Sequence, residues 1–189
     1  MASVAAGLLL IAGFGLHPAR EDPTFATDEL WIPAHSLLWL AFTIAPLGWI
    51  ALRLAQGPRA RRLGILALVV ISPGTSLASW IFSSDVTFVP VIAPPSPSLF
   101  EAIYSGAQLL IGVSSVWAWV VGVALFGISV VRGKVFSQWA GIFVVIGTLI
   151  ILIAHAAGLS VRIVGLGGAM AGAGQIWLGS ALLRRLSPG

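Results

Sequence analysis

The chain has 189 residues, of which 58% are hydrophobic and only 8% are charged. A soluble domain carries roughly 25% charged residues, so this composition excludes a water-facing surface over much of the chain and predicts contact with lipid. The net charge of +4 does not indicate nucleic-acid binding, because the basic residues form short clusters beside apolar runs, as membrane topology requires. There are no cysteines, which excludes disulfides, cysteine-ligated iron–sulfur clusters and cysteine nucleophiles.

Six apolar segments follow one another along the chain. They predict an all-α bundle of six transmembrane helices in one domain, because an unpaired backbone in hydrocarbon is too costly for open strands. The predicted spans are about 2–16, 31–54, 63–82, 104–131, 137–158 and 163–183. The first span is short for a hydrocarbon core of about 30 Å.

The charges of the connecting segments predict the orientation of the bundle. If the six helices alternate, one end carries eight basic residues and no acid, namely Arg53, Arg59, Arg61, Arg62, Arg132, Lys134, Arg184 and Arg185. The other end carries all six acids and only two arginines. By the positive-inside rule, both termini are predicted to be cytoplasmic. The acidic loops 17–31 and 83–103 are then predicted to lie outside a bacterial-type plasma (inner) membrane.

Three histidines mark the candidate site. His17 ends the first predicted helix, His35 lies one turn into the second, and His155 lies about three residues before the end of the fifth. At a rise of about 1.5 Å per residue, all three fall within one or two turns of the predicted outer interface. Imidazole is the commonest metal ligand and also an axial haem ligand, so this shared depth predicts a cofactor site near the outer leaflet.

The leading hypothesis is a haem b held between helices, in a protein that serves electron transfer. His35 and His155 are the predicted axial ligands, because both lie inside their helices, and His17 is the reserve ligand. Arg20 and Arg162 are the only basic residues predicted at this end, and arginine pairs well with carboxylates such as haem propionates.

Other interpretations stay open on the same residues. The three histidines would also bind zinc or copper, with Asp28, Glu29 or water completing the site, and a zinc-bound water would make the protein a membrane hydrolase. Alternatively, the protein binds no cofactor and is an accessory or scaffold subunit of a larger membrane complex. No paired-histidine motif decides between these alternatives.

The sixth segment contains the glycine-rich run VGLGGAMAGAGQIWLG. Small residues repeat at four-residue spacing in it, which predicts close helix packing, either within the chain or against other subunits through residues 163–183. No acid or base is predicted in the middle of a span, which argues against coupled transporters and proton pumps.

Overall fold

The computed structural model describes residues 1–18, 28–93, 96, 98, 102 and 105–187, without the side chains of residues 107 and 108. The long helices are α1 (Ala2–Leu16), α2 (Trp31–Leu54), α3 (Arg61–Thr87), α5 (Ala107–Gly133), α6 (Gln138–Ala156) and α7 (Val161–Leu186), and α4 (Val89–Ile92) is a single short turn. A 3-10 turn, Pro58–Ala60, leads into α3. The predicted all-α architecture is confirmed, since these ranges contain no strand.

Five of the long helices, all except α1, are long and apolar enough to cross a membrane. α1 is equally apolar, but its 15 residues extend only about 22 Å at the usual helical rise. Large apolar side chains cover the outside of the bundle, as exposed Leu47, Val69 and Leu110 illustrate. A surface of this kind is suited to lipid rather than water.

The six long helices pack as a ring in chain order. α1 contacts α2, α2 contacts α3, α3 contacts α5, α5 contacts α6, α6 contacts α7, and α7 returns to α1. Neighbours are antiparallel, because Gly48 near the end of α2 lies against Ser3 at the start of α1, whereas Gly13 near the end of α1 lies against Leu38. The bundle therefore has an arginine end, where α2, α5 and α7 finish, and a histidine end, where α1, α3 and α6 finish.

The glycine-rich helix α7 uses its small residues inside this chain. Gly168, Gly172 and Gly179 lie against α1, and Gly167 and Gly174 lie against α6. A Cβ at Gly172 would come within 2.5 Å of the Gly7 carbonyl oxygen, so the two backbones are in direct contact. The predicted close packing is confirmed, and its partners are α1 and α6.

The helix of the third predicted span extends beyond residue 82. The sequence predicts a span at about 63–82 followed by the loop 83–103, but α3 continues to Thr87 and α4 comes directly after it. The hydroxyl groups of the additional turn are satisfied within the helix, since Ser84 Oγ donates to the Trp80 carbonyl at 3.0 Å and Thr87 Oγ1 donates to the Ser83 carbonyl at 2.8 Å. Asp85 consequently lies in the last turn of α3 rather than in a loop.

Candidate functional site

At the histidine end of the bundle, α1, α2 and α3 converge on His35. This side chain lies in the second turn of α2 and is only 2% exposed. Its Nδ1 is 2.8 Å from the carbonyl oxygen of Trp31. Because a carbonyl oxygen can only accept, Nδ1 carries a proton and donates it to this bond. The ring is thereby oriented with Nε2 towards α3.

Asp85 of α3 faces this nitrogen. Its Oδ2 is 3.7 Å from His35 Nε2, and the residue is only 6% exposed. The Trp31 indole N–H donates to the backbone carbonyl of Asp85 at 2.7 Å, which ties the last turn of α3 to the first turn of α2. The carboxyl group lies beside the N-terminus of α2, where the helix dipole favours negative charge.

Aromatic rings enclose the pair. Trp31 stacks on His35 with ring centroids 3.8 Å apart and an interplanar angle of 26°. The His17 ring lies on another side at 4.8 Å, and Phe82 lies at 5.8 Å. We call these five residues, His17, Trp31, His35, Phe82 and Asp85, the histidine cluster. Their packing excludes bulk water, which strengthens electrostatic interactions between the charged groups inside.

The geometry sets the protonation of the His35–Asp85 pair. With a proton already on Nδ1, a neutral His35 presents the lone pair of Nε2 to a carboxylate oxygen, which is repulsive. The contact becomes attractive when one proton is added, either on Nε2 to form an imidazolium or on Asp85 to form an O–H donor. These two arrangements hold the same number of protons and differ only in which side chain carries the added one.

His17 approaches the pair from the end of α1 and is half-buried. Its Nδ1 is 3.0 Å from the Pro18 carbonyl oxygen, so here too Nδ1 is the donor and Nε2 is turned away from the backbone. Within the described ranges, no group of three or more histidine, aspartate or glutamate side chains is placed to hold a metal ion.

His155 lies at the same end of the bundle but outside the cluster. It is exposed in the last turn of α6, and its Nδ1 is 3.1 Å from the Ile151 carbonyl oxygen. α6 packs on α5 and α7, and α2 is not among its neighbours in the described contacts. The structure thus brings His17 and His35 together and leaves His155 on another side of the ring. A ligand shared by His35 and His155 stays a prediction.

The charged residues of the predicted site are dispersed. Arg162 is exposed in the first turn of α7, and Asp28 and Glu29 are exposed before α2. Asp28 has a local role, because its Oδ1 accepts from the Leu30 N–H at 2.7 Å and its carbonyl accepts from the Trp31 N–H at 3.0 Å. Arg20 lies outside the described residues.

Asp85 is the functional candidate that the sequence interpretation missed. It was assigned to a loop because the apolar run stops at Phe82, although three hydroxyl residues then extend the helix. A second signal was present in the spacing. His35 lies 25 residues before Ala60 and Asp85 lies 25 residues after it, so an antiparallel hairpin that turns at this point places the two side by side.

The fold and its apolar surface define a helical membrane bundle with a buried ionisable pair at one end. In comparisons with known proteins, no family model, no curated protein and no solved structure matches the chain.

Proposed function

We propose that this membrane bundle reversibly binds a proton at the His35–Asp85 pair and acts as a pH-responsive protein at the membrane face predicted to be outside. The observation that carries the proposal is the 3.7 Å approach of Asp85 Oδ2 to His35 Nε2, on a ring whose Nδ1 donates to a carbonyl. Ionisable residues within membrane-spanning helices are costly to bury and usually mark a functional site.

The surroundings of the pair favour sensing over proton transport. Aromatic rings lie next to the cluster on the side of the arginine end. The Phe42 ring centroid is 5.3 Å from that of Phe82 and 5.1 Å from that of Trp119. The buried hydroxyls of Thr75 and Thr148 bond to carbonyls of their own helices. A proton relay needs a chain of ionisable groups across the membrane, so a proton at this site enters and leaves by the same end.

Protonation is coupled to helix packing because three helices meet at the pair. His35 belongs to α2, Asp85 to α3, and His17 adds a third titratable ring from the end of α1. The carboxylates of Asp28 and Glu29, exposed before α2, add negative charge nearby. Loss of the shared proton turns the contact between α2 and α3 from attractive to repulsive and loosens this end of the bundle.

We expect the thermal stability of the protein to pass through a maximum with pH. The state with no added proton and the state with two added protons both lack the shared-proton contact, so stability falls on the acidic and on the alkaline side of the maximum. The double variant His35→Gln/Asp85→Asn should show a flattened profile in melting experiments followed by tryptophan fluorescence. Arg162→Gln, at an exposed site of the same end, serves as the control and should retain the maximum.

A second experiment tests from which side of the membrane the pair takes its proton. It uses proteoliposomes whose internal and external pH are set separately. The fluorescence of Trp31, obtained as the difference from Trp31→Phe, should follow the pH on the side of the histidine end. A double variant with the wild-type pH profile would contradict the proposal. Proton flux that depends on Asp85 would instead indicate a transporter.

A metal ion at the same cluster is a second candidate. Both histidines direct Nδ1 to a backbone carbonyl, and metal-ligating histidines are usually oriented in this way with Nε2 facing the ion. The separation of 3.7 Å between His35 Nε2 and Asp85 Oδ2 is slightly longer than the roughly 3.3–3.6 Å between two ligands of a tetrahedral zinc ion with bonds of about 2.0–2.2 Å, so a small movement would allow both to bind one ion. Zinc or copper would then replace the shared proton between these two side chains, and His17 would become a ligand only after its ring moved towards the pair, since the described side chains hold no group of three placed for a metal ion.

We expect this candidate, if it is correct, to give about one zinc or copper ion per chain in elemental analysis of gently purified protein, since the pair offers one nitrogen and one oxygen ligand to a single ion. His35→Gln should lose the metal, whereas His155→Gln, the matched control, should keep it. Metal-free wild-type protein would remove the candidate.

Absorption and activity measurements on the same purified protein distinguish the remaining hypotheses, which are haem binding, hydrolysis and an accessory subunit. A Soret band that disappears in both His35→Gln and His155→Gln would support haem b and electron transfer, and hydrolytic activity that follows the zinc content would support the hydrolase. The accessory-subunit hypothesis is supported by exposed Trp80, Trp117 and Trp139. It would be preferred if the protein showed no response to protons, metals or haem.

A further inference from the structure

A buried arginine lies at the other end of the bundle. Arg53, in the last turn of α2, is only 8% exposed, and within the described structure its Nε has no hydrogen-bond partner. The side chain lies across Gly64 of α3, where an added Cβ would come 3.0 Å from Nε and overlap Cδ. The absence of a side chain at Gly64 is therefore what admits Arg53 between the two helices.

The charge of Arg53 is not balanced by the chain. No aspartate or glutamate occurs between residues 30 and 84 or after Glu101, so no acidic side chain belongs to the helix ends that meet here. The ion pair found among the described residues, His35–Asp85, is at the opposite end. The carbonyls at the end of α2 offset only part of the charge, and a buried unpaired cation is strongly unfavourable.

Other polar groups converge on the same place. Gln56 is buried beside Gly64, and its Nε2 lies 3.1 Å from Ser129 Oγ of α5. Exposed basic residues surround the site on the connecting turn and on the ends of α5 and α7, namely Arg59, Arg61, Arg62, Arg132, Lys134, Arg184 and Arg185. The Gln56 amide donates to the Ser129 hydroxyl, and this hydroxyl lies within hydrogen-bond distance of the Phe126 carbonyl oxygen, so the Arg53 guanidinium is the donor that remains for a ligand. A guanidinium in a cationic surrounding is suited to a phosphate group.

We infer that Arg53 binds the phosphate of an anionic phospholipid headgroup in the leaflet at the arginine end. The lipid is the favoured source of phosphate because Arg53 lies at the end of an apolar helix, on whose lipid-facing side Leu47, Ile50 and Leu54 are exposed. Acyl chains lying along these side chains would place a headgroup at the depth of Arg53. Clusters of basic residues at the end of a membrane span attract anionic lipids in the same way.

The test compares phosphatidylglycerol with phosphatidylcholine by native mass spectrometry and by lipid-induced shifts of the melting temperature in detergent. Wild-type protein should prefer phosphatidylglycerol by about tenfold or more, because its headgroup has a net negative charge to balance the buried cation, whereas the choline cation of phosphatidylcholine already offsets its phosphate. Arg53→Gln should lose about tenfold of this preference. Arg59→Gln removes the same charge from an exposed position of the adjoining turn and should lose less than about threefold.

Gly64→Ala provides a variant that keeps every charge. The new Cβ displaces the Arg53 side chain, so the preference should fall although the net charge is unchanged, and Arg53→Lys should fall between wild type and Arg53→Gln because the bidentate fork is lost. Wild-type protein without a preference would overturn the inference, as would equal losses in Arg53→Gln and Arg59→Gln. Inorganic phosphate that matches the effect of the lipid would overturn the assignment to a headgroup.

Discussion

Replacing Asp85 by leucine is expected to lower the free energy of unfolding by about 3 kcal/mol, as is usual when one partner of a buried charged pair is removed. His35 would remain buried with Nε2 facing an apolar side chain. Asp85→Asn should cost less than about 1 kcal/mol, because the amide N–H can donate to Nε2 of a neutral imidazole and preserve one hydrogen bond. Unfolding in mixed micelles with increasing denaturing detergent measures both values.

The matched control is Glu29→Leu, which makes a similar substitution at an exposed acid of the same end and should change stability by less than about 0.5 kcal/mol. A double-mutant cycle between His35→Gln and Asp85→Leu should give a coupling energy of about 1–3 kcal/mol, in the range found for residues in contact. Strict additivity of the two substitutions would show that the 3.7 Å approach has no energetic consequence.

Gly147→Ala is expected to have an effect of similar size for a steric reason. The added Cβ would come 2.5 Å from the Gly167 carbonyl oxygen and 2.9 Å from Ala171 Cα. Both atoms belong to the backbone of α7 and cannot rotate away, so α6 and α7 must separate. Overpacking of this kind costs about 1–3 kcal/mol, and the mixed-micelle unfolding experiment should show a loss near the upper limit.

Gly15→Ala is the matched control, because an added Cβ at Gly15 meets nothing within 4 Å. Alanine is also the better helix former by up to about 1 kcal/mol, so this variant should equal or exceed wild-type stability. A loss of stability in Gly147→Ala together with a gain in Gly15→Ala would show that the loss arises at the interface between α6 and α7. Equal losses in the two variants would mean that intrinsic backbone effects outweigh the contact with α7.

Much of the architecture is readable from local composition. The all-α bundle and its six long helices follow from apolar runs of sufficient length, since lipid requires each span to satisfy its own backbone. The separation of basic from acidic connections follows from alternation along the chain, and the structure places Arg53 and His35 at opposite ends of α2 as this requires. The last turn of α3 was not predicted because its residues are polar, and their hydroxyls are instead satisfied by carbonyls of the same helix.

The sequence by itself determined how far each histidine lies from the end of its helix, because that distance depends only on the number of residues between them. It did not determine which histidines meet. That depends on the order of helices around the ring and on the face that each helix turns inward, and a span that is apolar on every side carries no periodic signal for either. Only the tertiary structure brought His17, His35 and Asp85 together and placed α6, with His155, between α5 and α7.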